Sequence, residues 1–344
     1  MTDQTRIASR VRSHTLDPIP ALLAVLAVFA AVLLFAATAK ANPMLWAAAW
    51  PKTDFSKKSI DYSEILSGGP PKDGIPSIDK PKFIDAKDDK DLGPNEPVIS
   101  FEINGEAKAY PLRILMWHEI VNDTLGGVPV TVTYCPLCNS SIVFDRRLDG
   151  LVLDFGTTGK LRNSDLVMYD RQTESWWQQF LGEGIVGKMT GKMLKMLPSR
   201  QESFSRYKAQ YPKGKVLVPN NSFMRRYGTN PYARYDSRSG PYPFFQGEMP
   251  KGINPMVRVV AVGKQAWSLP LIRDKGPIRT GGLEIRWEKG LNSALDSSEI
   301  SEGKDVGNII VQRTKDGKKE DVVHDVTFAF VFHAFHPKGK INTN

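Results

Sequence analysis

From Pro97 onward the chain alternates apolar and polar residues with a period of two, and Asn-Gly and Asp-Gly pairs punctuate the alternation. Val98–Ile103 and Ala107–Tyr110 flank Asn104-Gly105, and Ser141–Asp145 and Leu151–Phe155 flank Asp149-Gly150. A period of two buries one face of a pleated strand, and Asn-Gly or Asp-Gly supplies the left-handed dihedrals of a tight hairpin. No regular strand–helix alternation accompanies these runs, so parallel crossover folds are disfavoured. The expectation is a mainly β, β-rich α+β domain whose antiparallel sheets form a sandwich or barrel-like arrangement. Short helices are expected over Leu112–Asp123 and residues 203–211. Residues 219–255 read as a loop too rich in Tyr and Phe for a linker, hence as a wall of a cleft.

Two segments resemble each other. Residues 98–135 and 257–290 align at an offset of 159 over their first half: Val98 with Val257, Ile103 with Val262, Pro111-Leu112 with Pro270-Leu271. Gly126-Gly127 before an alternating run is matched by Gly281-Gly282. Two related β-modules are expected, only the first of which carries cysteines.

The first 41 residues read as a targeting segment. Arg6, Arg10 and Arg12 precede an uninterrupted apolar run from Ala21 to Ala37, followed by Ala39-Lys40-Ala41. The run fits either a signal peptide or an N-terminal transmembrane anchor, and its flanking charges place the remainder outside the cytoplasm. The expected location is therefore periplasmic or on the outer face of the cytoplasmic membrane, with the membrane as a partner through this segment. Residues 42–75 read as a linker or entry segment, either loops lying on a domain surface or a partly flexible spacer, and 76–344 as one domain. The formal net charge of +9 is interspersed with acids, as in Lys315-Asp-Gly-Lys-Lys-Glu320, which marks a solvated surface rather than a nucleic-acid footprint.

Chemistry concentrates in one tetrapeptide, Cys135-Pro136-Leu137-Cys138, which holds both cysteines of the 344 residues. It follows the strand-like run Val128–Tyr134. Such a pair can cycle between dithiol and disulfide, with Cys135 as nucleophile and Cys138 as resolving thiol. It can equally give two soft ligands to zinc or cuprous copper, with histidines completing the site, or form a structural bridge in a cell-envelope binding module. Asn139-Ser-Ser-Ile-Val favours a strand after the pair, so no helix dipole is expected to stabilise a thiolate. Of the five histidines, His118 and His336 are the best placed to approach the pair, either to activate a thiol or to ligate metal. Arg162, Asn163, Asp165, Asp170, Arg171 and Trp177 suit a polar pocket wall. Gly156-Thr-Thr-Gly-Lys160 lacks the spacing and the following helix of a phosphate loop. The physiological redox partner or metal donor is not identified by these residues.

Taken in order, Tyr110-Pro-Leu-Arg-Ile-Leu, His118-Glu-Ile-Val-Asn-Asp, Val132-Thr-Tyr-Cys-Pro-Leu-Cys-Asn-Ser140, Phe155-Gly-Thr-Thr-Gly-Lys-Leu-Arg-Asn-Ser-Asp165, Arg225-Arg-Tyr-Gly-Thr-Asn-Pro-Tyr232 and Phe335-His-Pro337 resemble domain of unknown function 3179 over about residues 75–340. The family brings no established activity. Selenocysteine in the matching motif of some relatives implies redox use. Threonine at the position of Cys138 in others implies a one-thiol or metal role.

Overall fold

The structure is a computed structural model that describes residues 43–343. It is mainly β, and its sheets form a propeller-like ring of five rather than a sandwich or a barrel. Each sheet has four or five strands, and a small hairpin, Arg147–Leu148 with Leu151–Val152, stands apart. The largest apolar cluster runs through several sheets and contains Tyr110, Tyr134, Phe144, Phe155, Trp177 and Phe328, none more than 1% exposed. Residues 1–41, including the apolar run, lie outside the described residues. No described helix is long and apolar enough to cross a membrane.

Tight turns set the register. Ile103 pairs with Glu106, Leu125 with Val128 and Thr280 with Leu283, so two residues close each hairpin. Those residues, Asn104-Gly105, Gly126-Gly127 and Gly281-Gly282, all have positive φ, the geometry whose twist matches the flanking strands. The Gly-Gly pairs thus close hairpins as well as starting strands. One consequence is that the first helix is shorter than its sequence suggests. It spans Leu112–His118 and stops at Glu119, whose φ is +56°. Ile120–Leu125 is then a strand paired with Val128–Cys135, because Gly126-Gly127 folds one onto the other. Around Asp149-Gly150 the hairpin is only two residues deep on each side. Ser140–Asp145 pairs instead with Val128–Cys135 and Lys195–Leu197.

The two similar segments share one order of elements. Strands Pro97–Ile103 and Glu106–Pro111, helix Leu112–His118 and strands Ile120–Leu125, Val128–Cys135 and Ser140–Asp145 form the first series. Arg258–Val262, Gln265–Ser268, helix Leu269–Lys275, Ile278–Thr280, Leu283–Glu288 and Asn308–Lys315 form the second. The correspondence continues beyond the aligned residues. Arg200–Ser203, helix Phe204–Gln210 and Lys215–Val218 flank the first hairpin as Asp325–Phe328, helix Ala329–Phe335 and Lys340–Asn342 flank the second. One sheet has no counterpart. Ile65–Ser67, Phe155–Arg162, Asp165–Asp170, Trp176–Gln178 and Glu183–Val186 form it, mostly from chain lying between Ser140–Asp145 and Lys195–Leu197.

Residues 43–75 are not a free spacer. They belong to the same compact unit as the remainder, and Ile65–Ser67 is an edge strand of the extra sheet. Trp46 and Trp50 pack on Trp176 at ring separations of 5.0 and 5.2 Å. Pro70 crosses Gly159, where φ is +70° and an added Cβ would lie 1.9 Å from the Pro70 carbonyl oxygen. Gly159→Ala is expected to cost more than about 2 kcal/mol, from the left-handed backbone and the collision together. Urea denaturation would check this, and a loss below about 0.5 kcal/mol would show that the crossing segment yields.

Candidate functional site

Cys135 ends one strand and pairs with Ser140 at the start of the next, leaving Pro136–Asn139 as the connecting turn. Cys138 N donates to the Cys135 carbonyl and Asn139 N to the Pro136 carbonyl, both at 3.2 Å. Asn139 takes a φ of +51°, which brings the chain back into the sheet. The second module grips this turn from behind. Thr327 Oγ1 donates to the Cys138 carbonyl at 2.8 Å, Asn139 Nδ2 to the Val326 carbonyl at 2.8 Å, and Arg258 Nη1 to Asn139 Oδ1 at 2.9 Å.

The extra sheet meets the turn from the front. Arg162 pairs with Asp165, so Asn163-Ser164 is a two-residue hairpin turn, with φ of +51° and +66°. Glycine usually occupies the second place of such a turn, so a buried serine there is strained. Phe244 holds it by accepting from Ser164 N at 3.1 Å. The Ser164 carbonyl faces both thiols, 3.6 Å from Cys135 Sγ and 3.5 Å from Cys138 Sγ. Both cysteines are free thiols.

Asp165 follows the strained serine. Its Oδ2 accepts from Gln178 Nε2 and, at 2.9 Å, from Phe180 N, while its Oδ1 is buried without a hydrogen-bond partner. One ligand atom from each of Cys135, Cys138 and Asp165 lies within 4.8 Å of the others. Burial pushes Asp165 up to about 6 against the hydrogen bonds of Phe180 and Gln178. It also raises both thiols, Cys138 strongly, with the negative charge of Asp165 adding to the effect. Glu119 is pushed up to about 8 by burial and by Asp165. Two thiols and the Asp165 carboxyl are therefore buried together, and Glu119 is near enough to feel the Asp165 charge.

Cys135 also lines a cavity of about 360 Å³. Its walls are largely apolar, and Pro231, Tyr232, Tyr242 and Phe244 come from the irregular segment 219–255. Glu119 lines it as well. Cys138, wholly buried, sits behind Cys135.

The histidines take other places. His118 Nδ1 contacts the Pro76 carbonyl at 2.7 Å and Nε2 the Tyr227 hydroxyl at 2.8 Å, so both ring nitrogens are engaged. His336 packs on Phe180 and Phe332, with ring separations of 5.9 and 5.2 Å. Neither belongs to the thiol–carboxylate cluster, where Asp165 stands in the position expected of an imidazole. The other polar residues around the extra sheet serve its architecture. Arg162 pairs with Glu64 and Arg171 with Asp79, and the buried Asp170 accepts from Trp177 Nε1 at 2.9 Å. Asn163 is the first residue of the strained turn. Tyr232, Tyr242 and Phe244 belong to the aromatic segment expected to wall a cleft, whereas Ser164 is not among the sequence-derived candidates and Glu119 enters them only as the neighbour of His118. The available signals were a polar residue directly after a helix and an Asn-Ser pair where Asn-Gly would be ordinary.

No curated protein and no solved structure matches the chain. The family described as Protein of unknown function (DUF3179) matches residues 72–339, a span that includes the cysteine turn, the Asn163-Ser164 hairpin and the aromatic wall. The chain belongs to that family.

Proposed function

We propose that the protein is a thiol–disulfide redox protein, with Cys135 as nucleophile, Cys138 as resolving thiol and Asp165 as proton acceptor. The observation that carries this reading is the paired arrangement itself. Two free thiols converge on one carbonyl beside a carboxylate with an unpartnered oxygen, and only Cys135 lines a cavity. Raised thiols are poor nucleophiles until a base removes the proton, and a base near 6 is ionised at neutral pH. Asp165 takes the Cys135 proton, and the thiolate attacks a disulfide of the partner and releases one partner thiol. Cys138 then attacks Cys135 Sγ, closing the intramolecular disulfide and releasing the second thiol.

A second reading uses the same atoms as ligands. An Asp165 carboxylate oxygen within 4.8 Å of both sulfurs suits a soft divalent or cuprous ion held by two sulfurs and one oxygen, without either histidine. The deciding experiment exposes the reduced protein to glutathione disulfide and counts alkylatable thiols. Loss of both thiols is expected, with a glutathione adduct trapped on Cys135 in Cys138→Ser. Retention of both thiols together with stoichiometric zinc or copper would replace the redox reading with the metal one.

A further inference from the structure

The cavity in front of Cys135 has a chemical character of its own. Leu137, Leu161, Leu166, Tyr242 and Phe244 supply apolar and aromatic walls. Its volume, about 360 Å³, lies within the range of small-molecule sites. Three of its lining residues carry polar side chains of use to a redox ligand: Cys135, Glu119 and Tyr232. Burial raises Tyr232, and the charges of Glu119 and Cys135 add to it, so its hydroxyl stays protonated and able to donate at neutral pH. Neither the Glu119 carboxyl nor the Tyr232 hydroxyl has a hydrogen-bond partner among the described residues. Lys160, the one cationic residue of the lining, sets its ammonium over the Trp46 ring at 5.5 Å. The walls thus offer aromatic surface, two O–H donors and a thiol, without a free cation to receive an anion.

We infer that this cavity binds a benzoquinone-type ring, which accepts hydrogen bonds from Glu119 and Tyr232 and reoxidises the Cys135–Cys138 dithiol. A planar ring suits walls of Tyr and Phe, and a carbonyl oxygen suits O–H donors that line an apolar cavity. The protonated carboxyl of Glu119, with its value near 8, is a donor at neutral pH. The step balances. Cys135 and Cys138 lose two protons and two electrons and gain an S–S bond, and the quinone takes up both pairs as its two carbonyl oxygens become hydroxyls. This assignment rests on the redox reading above and names the oxidant.

The test uses the full-length reduced protein and tetramethylbenzoquinone, whose fully substituted ring blocks thiol addition. Disulfide formation is followed by thiol alkylation and hydroquinone formation by absorbance. Saturating dependence on quinone concentration is expected, with one hydroquinone formed per disulfide. Glu119→Met and Tyr232→Phe, each of which removes an O–H donor, are expected to lower the second-order rate about tenfold, the loss of roughly one hydrogen bond. Should Glu119→Met fail to fold, Tyr232→Phe removes a single oxygen and carries the comparison. Oxidation by glutathione disulfide is measured on the same preparation. A pair that cycles with glutathione but reacts with quinone linearly, and equally in both variants, overturns the quinone assignment and leaves the thiol reading standing. A pair that cycles with neither oxidant removes both.

Discussion

Asp165→Asn is expected to slow disulfide exchange at pH 7 by about 10- to 100-fold, at or just below the usual range for a general base. The wild-type rate should rise through pH 6 as Asp165 ionises, since its value is near 6. That limb should vanish in the variant. The same substitution removes a negative charge that helps to raise both thiols, so their own ionisation should move to lower pH. The two profiles are therefore expected to converge or cross at high pH. A residue that only packs against the turn would lower the rate at every pH alike. An unchanged limb between pH 5 and 7 would end the role of Asp165 as proton acceptor. Asparagine retains an oxygen for Gln178 and Phe180, so the variant is expected to keep the strand in place.

The mainly β architecture was legible because period-two runs and Asn-Gly turns are local, and local geometry is what a sequence writes most directly. The ring of sheets was not. A half-buried strand looks the same in a sandwich, a barrel or a propeller, and what separates them is which strands pair over long distances. Arg200–Ser203 lying against Pro97–Ile103 is such a pairing, and no residue in either announces it. The cysteine turn was legible for the same local reason, including its place between two strands. Asp165 was legible only as one of several residues of a polar pocket wall, and its pairing with the thiols was not, because it arrives from elsewhere in the chain. His118 is close to the pair in sequence, yet the turn at Glu119 sends its ring toward Pro76 and Tyr227. Asp165 comes instead from the sheet that has no counterpart in the second module. The cluster lies where that extra sheet meets the turn between Val128–Cys135 and Ser140–Asp145.

Arg258→Ala is expected to be the most destabilising single change near the site, by about 3–5 kcal/mol, because it strands a buried charge. The Arg258 guanidinium is buried between the modules, where it donates to Asn139 Oδ1 and to Ser293 Oγ at 2.7 Å and pairs with Asp236 at 3.3 Å. Asp236 is itself buried, and Lys304 at 3.0 Å is its remaining cation. Burial alone would raise Asp236, but Arg258, Ser293 and Lys304 outweigh it and hold the carboxyl below its usual value. A depressed carboxyl contributes stability that is complete above its unfolded value near 4 and is lost as pH falls through its folded value. The wild type should therefore lose stability below about pH 4, and the variant should show a shallower loss from a lower starting point. Arg258→Met fills much of the space without the charge and separates lost packing from lost pairing. Urea midpoints at pH 7 and pH 3 would measure both effects, and a variant as stable as wild type at pH 7 would show that Lys304 alone satisfies Asp236. The loss should reach the thiols as well. Without Arg258, the Asn139 side chain keeps only its bond to the Val326 carbonyl, and the turn that presents Cys135 loosens. Faster alkylation of Cys135 and Cys138 under native conditions is the expected sign, because opening this turn is what admits reagent to two sulfurs that the fold otherwise buries.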